Sequence, residues 1–62
     1  MALRQTYELY LHRDDGQPPQ FEALTCADEV ELLAAMRRKI SDLSLQSIEA
    51  WRLGEQVMVL AA

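Results

Sequence analysis

Two side chains in this sequence have chemistry beyond packing: Cys26 and His12, the single thiol and the single imidazole among 62 residues. A thiol acts as nucleophile or redox centre through its thiolate, which is favoured at a helix start, where free backbone N–H groups and the helix dipole stabilise negative charge. Thr25-Cys26-Ala27-Asp28 has the spacing of a capping box, so Cys26 is expected at a helix N-terminus and is the candidate reactive thiol. Asp28 and Glu29 oppose a lowered pKa by placing negative charge beside it. There is no Cys-x-x-Cys pair, His12 falls at the far end of the first strand, and a small buried residue where strand gives way to helix is the competing expectation. His12 with Asp14 and Asp15 offers one imidazole and two carboxylates, fewer than the ligands of a zinc site and wrongly spaced for one; the Asp-Asp-Gly run is explained by turn chemistry. Ser41, Ser44 and Ser47 have no base nearby and no Gly-x-Ser-x-Gly elbow. Two glycines cannot cradle a phosphate. Glu22 and Glu49 are placed to meet across a sheet, but carboxylates without a pocket make no catalyst. No catalytic residue, metal site or cofactor is assigned, and an enzyme is not expected.

The elements that would position these groups follow from periodicity. Leu3 to His12 alternates, with Leu3, Tyr7, Leu9 and Leu11 on one side and Arg4, Thr6, Glu8, Tyr10 and His12 on the other, which is the pattern of a strand with one buried face. Asp15-Gly16 and Pro18-Pro19 supply a turn and then a block to ladder hydrogen bonding, so Gln20 to Leu24 returns as an edge strand with Phe21 and Ala23 on one face. A helix is expected over about residues 27–42. Acids crowd its start and Arg37-Arg38-Lys39 its last turns, complementing the macrodipole, and Asp42 is spaced to pair with Arg38. Val30, Leu32, Leu33, Ala34, Met36, Ile40 and Leu43 form its apolar side. Leu45 to Arg52 reads as a third strand, Leu53-Gly54-Glu55 as a turn, and Val57 to Leu60 as a fourth strand that is apolar on both faces. The predicted fold is α+β, a single domain over residues 1–62: a four-stranded, largely antiparallel sheet with one amphipathic helix packed on one face, in the order ββαββ.

With a helix over Leu9, Leu11, Ile48, Ala50, Val57 and Val59, the residues Tyr10, Trp51, Met58 and Leu60 are left on the back of the sheet. Exposed apolar patches rich in aromatics and Met mark protein interfaces. A chain this short buries only about 60% of its unfolded surface and often completes its core by association. Tyr10, Trp51, Met58 and Leu60 are therefore the expected contact residues of a homodimer, or of a dimer with another protein, through the sheet's back or the fourth-strand edge.

Composition narrows the alternatives. Ten acids against six bases give a net charge of −4, which disfavours nucleic acid, whose binding needs clustered Lys and Arg. Tyr7, Tyr10 and Trp51 could stack on bases, but the accompanying positive charge is missing. A lone cysteine cannot form an intramolecular disulfide, which suits a reducing cytoplasm. Met1-Ala2-Leu3-Arg4-Gln5-Thr6 has no signal-peptide pattern, and no window approaches the roughly 18 apolar residues of a membrane span, so neither export nor a membrane anchor is expected.

Tyr7-Glu8-Leu9-Tyr10-Leu11, the Asp15-Gly16 turn, the run from Phe21 to Glu29 and Ile48-Glu49-Ala50-Trp51 before a Gly-containing turn together resemble a family of small uncharacterised proteins, a domain of unknown function common in alphaproteobacteria. Its pattern has an aromatic first strand, a Cys-x-Asp helix start and a Trp-ending third strand; here the Trp51 to Gly54 turn is one residue longer and Pro18-Pro19 is added. The resemblance implies a strand-strand-helix-strand-strand fold and a bacterial cytoplasm, and no activity. The leading expectation is a small non-catalytic cytoplasmic protein acting through protein–protein contact as a homodimer. A redox or ligand sensor using Cys26 is the alternative, and a weak nucleic-acid binder the third.

Overall fold

The computed structural model describes residues 3–62; Met1 and Ala2, part of the stretch inspected for an export signal, lie outside the described residues. Strands β1 (Gln5–His12) and β2 (Gln20–Cys26) precede a helix α1 (Glu29–Leu43), and strands β3 (Ser47–Arg52) and β4 (Glu55–Ala61) follow it. All four strands lie in one antiparallel sheet ordered β2-β1-β3-β4. This is the expected ββαββ α+β fold. β1 is central because both hairpins place a partner against it, and β2 and β4 are the two edges.

One face of the sheet carries the core. Tyr7, Leu9 and Leu11 of β1, Cys26 of β2, and Ile48 and Ala50 of β3 are buried with Leu32 and Met36 of α1 and with Leu45, which follows the helix. The helix stripe is narrower than its composition suggests: Leu32, Met36 and Ile40 recur every fourth residue and face the sheet, whereas Val30 is 78% exposed. Leu45 is drawn inward because α1 ends in a left-handed Ser44 whose N–H donates to the Ile40 carbonyl, and the Leu45 N–H donates to the same carbonyl. No helix of the described residues is long and apolar enough to cross a membrane.

Several boundaries differ from expectation for local reasons. β2 runs on through Thr25 and Cys26, so Thr25 does not cap the helix; its hydroxyl lies 3.0 Å from that of Thr6 on the neighbouring strand. Asp28 is the N-cap instead, its carboxylate accepting from the Glu31 N–H at 2.8 Å. Asp28-x-x-Glu31 satisfies the capping-box spacing one turn later than Thr25-x-x-Asp28 does. At the other end α1 extends past the basic run, leaving no basic residue in its last turn. Lys39 instead reaches across to Glu22 of β2, and among the described residues Asp42 pairs with no base.

β4 departs furthest from the expected arrangement. The β3–β4 turn has two residues, Leu53 and Gly54, both with positive φ (53° and 80°), as a type I′ hairpin requires. Past it, Trp51 pairs with Gln56 but Ala50 pairs with Met58, so Val57 is an extra, bulged residue. A bulge inverts the alternation of everything beyond it. Met58 and Leu60, opposite the core residues Ala50 and Ile48, therefore lie on the helix side and pack against the core. They are not on the back of the sheet as expected. Val59, opposite Glu49, takes that place and is 54% exposed.

Candidate functional site

The face of the sheet away from α1 is open, and registers define its layout row by row. Phe21, Tyr10, Glu49 and Val59 form one cross-strand row; Ala23, Glu8, Trp51 and Gln56 form the next. Tyr10 and Phe21 meet edge to face with ring centroids 5.7 Å apart, a favourable aromatic geometry. Tyr10 and Trp51 are half-buried and Phe21 is 56% exposed. Tyr7, by contrast, is buried in the core on the opposite face, so the three aromatics considered as a base-stacking platform do not share a surface.

At the centre, Glu8 stands opposite Trp51 and Tyr10 opposite Glu49, giving a square in which two carboxylates and two aromatic rings occupy alternate corners. Directly opposed residues have Cβ atoms about 5 Å apart and diagonal ones about 7 Å. A shallow groove of about 420 Å³ runs over this square, lined by Glu8, Tyr10, Glu49 and Trp51 with Pro19 and Gly54. Pro19 leads into the strand residue paired with Leu11, while Gly54 lies in the turn beyond Trp51, so the groove follows β1 from one end of the sheet to the other. The Trp51 indole nitrogen is shut off from solvent with no hydrogen-bond partner, so the part of the ring that lines the groove is carbon.

Glu49 is the ordered corner. One carboxylate oxygen lies 2.5 Å from His12 Nε2 and the other accepts from the Gln56 side-chain amide at 2.8 Å. Glu8 is exposed and joins no ion pair among the described residues. These contacts draw apart two groupings that the sequence raised. His12 is engaged by Glu49 rather than by Asp14 or Asp15, and among the described residues no group of three His, Cys, Asp or Glu side chains is placed to hold a metal ion. Glu22 and Glu49 do not meet, because Glu22 lies opposite Leu9 on the helix face and pairs with Lys39.

Cys26 ends β2 instead of starting a helix, and it is 1% exposed. Burial pushes its thiol above the ordinary pKa, the Glu31 carboxylate adds to the shift, Arg4 opposes it and Asp28 adds again. Each of these except Arg4 disfavours the thiolate.

Sequence reasoning recognised Tyr10 and Trp51 by alternation but missed the part played by Glu8, Phe21 and Val59. Alternation assigns Phe21 and Glu8 to a face of their own strands, whereas the inter-strand register alone sets them beside Tyr10 and Trp51. The fold and this groove define a one-helix α+β protein with an open acidic and aromatic sheet face. No family model, no curated protein and no solved structure matches the chain.

Proposed function

We propose that this chain is a non-catalytic contact protein of the bacterial cytoplasm that works as a homodimer, joined through the outer edge of β4. The observation that carries the reading is the contrast between the two sheet edges. β2 is entered through Pro18-Pro19 and carries Glu22 bridged to Lys39, devices that blunt an edge against pairing. β4 has no charge and no proline from Gln56 to Ala61, and its outer backbone groups have no strand beside them. An uncharged apolar edge of this length is a template for strand addition.

A second copy of the chain fits that edge by parity. Two antiparallel copies related by a two-fold axis at Val59 set Val59 against itself on the open face and Met58 against Leu60 of the other copy on the helix face. The partly buried side chains at the rim of the core are thereby covered. Glu55 falls outside the paired stretch, so no like charges oppose each other. Met58 and Leu60 thus remain contact residues, though through the edge and not the back. Tyr10 and Trp51 stay on the open face, available to a further protein. The single buried thiol, without a disulfide partner, supports the cytoplasm.

Sedimentation equilibrium at tens of micromolar tests the reading. The dimer mass is expected for the chain as it stands and the monomer mass for Val59→Lys, which places a charge on the edge at a position already half exposed. A strict monomer before substitution, or a dimer that the lysine leaves intact, would overturn it.

A further inference from the structure

Edge pairing through β4 leaves the groove on β1 and β3 uncovered, and its chemistry differs from that of an edge. Glu8 and Glu49 are diagonal corners of the square, Tyr10 and Trp51 the other two, and no strand residue on this face is Lys or Arg. His12 is the one group there that can carry positive charge, and it is held by Glu49. The groove is therefore a patch of negative charge floored by aromatic carbon, on a chain of net charge −4. The geometry points to the side chain of an arginine, carried within a peptide segment of a partner protein, as what this groove binds.

The guanidinium suits the square better than the alternatives do. It is planar and weakly hydrated, stacks on aromatic faces, and offers donors along two edges of its plane. Lying over the ring carbon of Tyr10 and Trp51 it gains a cation–π contribution, and its donors reach toward Glu8, whose carboxylate makes no ion pair among the described residues. An ammonium is a strongly hydrated point charge without that planar match. A divalent cation would need more oxygens than the free Glu8 and the engaged Glu49 supply. Free arginine brings a zwitterionic backbone whose ammonium and carboxylate are both strongly hydrated and would be partly desolvated against the groove, whereas a residue inside a chain brings neutral amides. Pro19 and Gly54 line the groove near opposite ends of β1, so its long direction is that of the strand, along which an extended chain would lie.

Titration with the capped tripeptide acetyl-Gly-Arg-Gly-amide tests this, read by the emission of Trp51, the only tryptophan, and by amide chemical shifts. Saturable binding is expected, with shifts concentrated at residues 8, 10, 49 and 51. Replacing the arginine by citrulline, its neutral isostere, should weaken binding about tenfold or more, as losing a charge-assisted hydrogen bond does. Glu8→Gln, on an exposed side chain, should weaken it severalfold, and Glu31→Gln, on the helix, should leave it unchanged. Equal binding of the citrulline peptide, equal loss in Glu31→Gln, or free arginine binding as tightly as the capped peptide would each overturn the assignment. All three readouts are independent of whether β4 pairs.

Discussion

Cys26 shows how one residue's surroundings decide its chemistry. Three residues of difference in where the helix is capped, Thr25 against Asp28, separate a thiol at a positive helix end from one sealed at the end of a strand. Sealed, it is protonated at neutral pH, and burial, Glu31 and Asp28 all hold it so against Arg4. Folding therefore raises this thiol's pKa, and the unfolded chain releases the proton first. The stability associated with the protonated thiol is complete below the ordinary thiol pKa and is lost as pH rises through that value toward the folded one. Two measurements follow from the same fact. At neutral pH a disulfide reagent should label Cys26 slowly in the folded protein and rapidly in denaturant. In melts taken above the ordinary thiol pKa, the intact chain should lose stability relative to Cys26→Ala as pH is raised. Rapid labelling of the folded chain would restore the sensor reading.

At the scale of elements, the start of α1 and the phase of β4 show what a sequence can and cannot specify. Two overlapping capping boxes, Thr25-x-x-Asp28 and Asp28-x-x-Glu31, compete for the same helix. The first loses because extending β2 adds the Thr25 backbone to the ladder opposite Thr6 of β1 and carries Cys26 into the core. Asp28→Ala should accordingly destabilise the protein by about 1 kcal/mol through the lost cap, measured by urea unfolding. Thr25→Ala should cost less, since it removes an exposed cross-strand contact. The reverse order would show that the helix begins earlier. The four strands, the helix and the burial of Tyr7, Leu9, Leu11, Ile48 and Ala50 were legible, because alternation and fourfold spacing are written directly in residue types. The fates of Met58 and Val59 were not, because alternation survives a bulge only with its phase inverted, and a run of Val57-Met58-Val59-Leu60 is apolar in either phase. The open face was legible to the same limit: Tyr10 and Trp51 could be assigned to it singly, whereas their checkerboard with Glu8 and Glu49 depends on the register between β1 and β3, which are separated by a hairpin and a helix. The left-handed Leu53 belongs to this class too. Its φ of 53° costs a leucine about 1–2 kcal/mol and is imposed by the two-residue turn.

For the whole molecule, the decisive quantity is how little core one helix and one sheet supply. Among the described residues the fully buried set is a single layer, Leu32 and Met36 of α1 against the inner residues of three strands, closed at one end by Leu45. The same face continues outward to Val57, Met58 and Leu60 at the β4 edge, where it is only partly covered. A chain of this length has little stability to spare, so a contact that completes the layer contributes a large share of the total. If that contact is a second copy, folding and association are one equilibrium, and mass action makes the melting temperature depend on protein concentration. With an unfolding enthalpy near 0.7 kcal/mol per residue for both chains, each tenfold rise in concentration should raise the midpoint by about 5 °C. Val59→Lys should melt lower than the unsubstituted chain at high concentration and show no such dependence. Melts of the unsubstituted chain that superimpose across a hundredfold range of concentration would mean that the single layer is sufficient by itself, and that the uncharged edge of β4 is tolerated without being used.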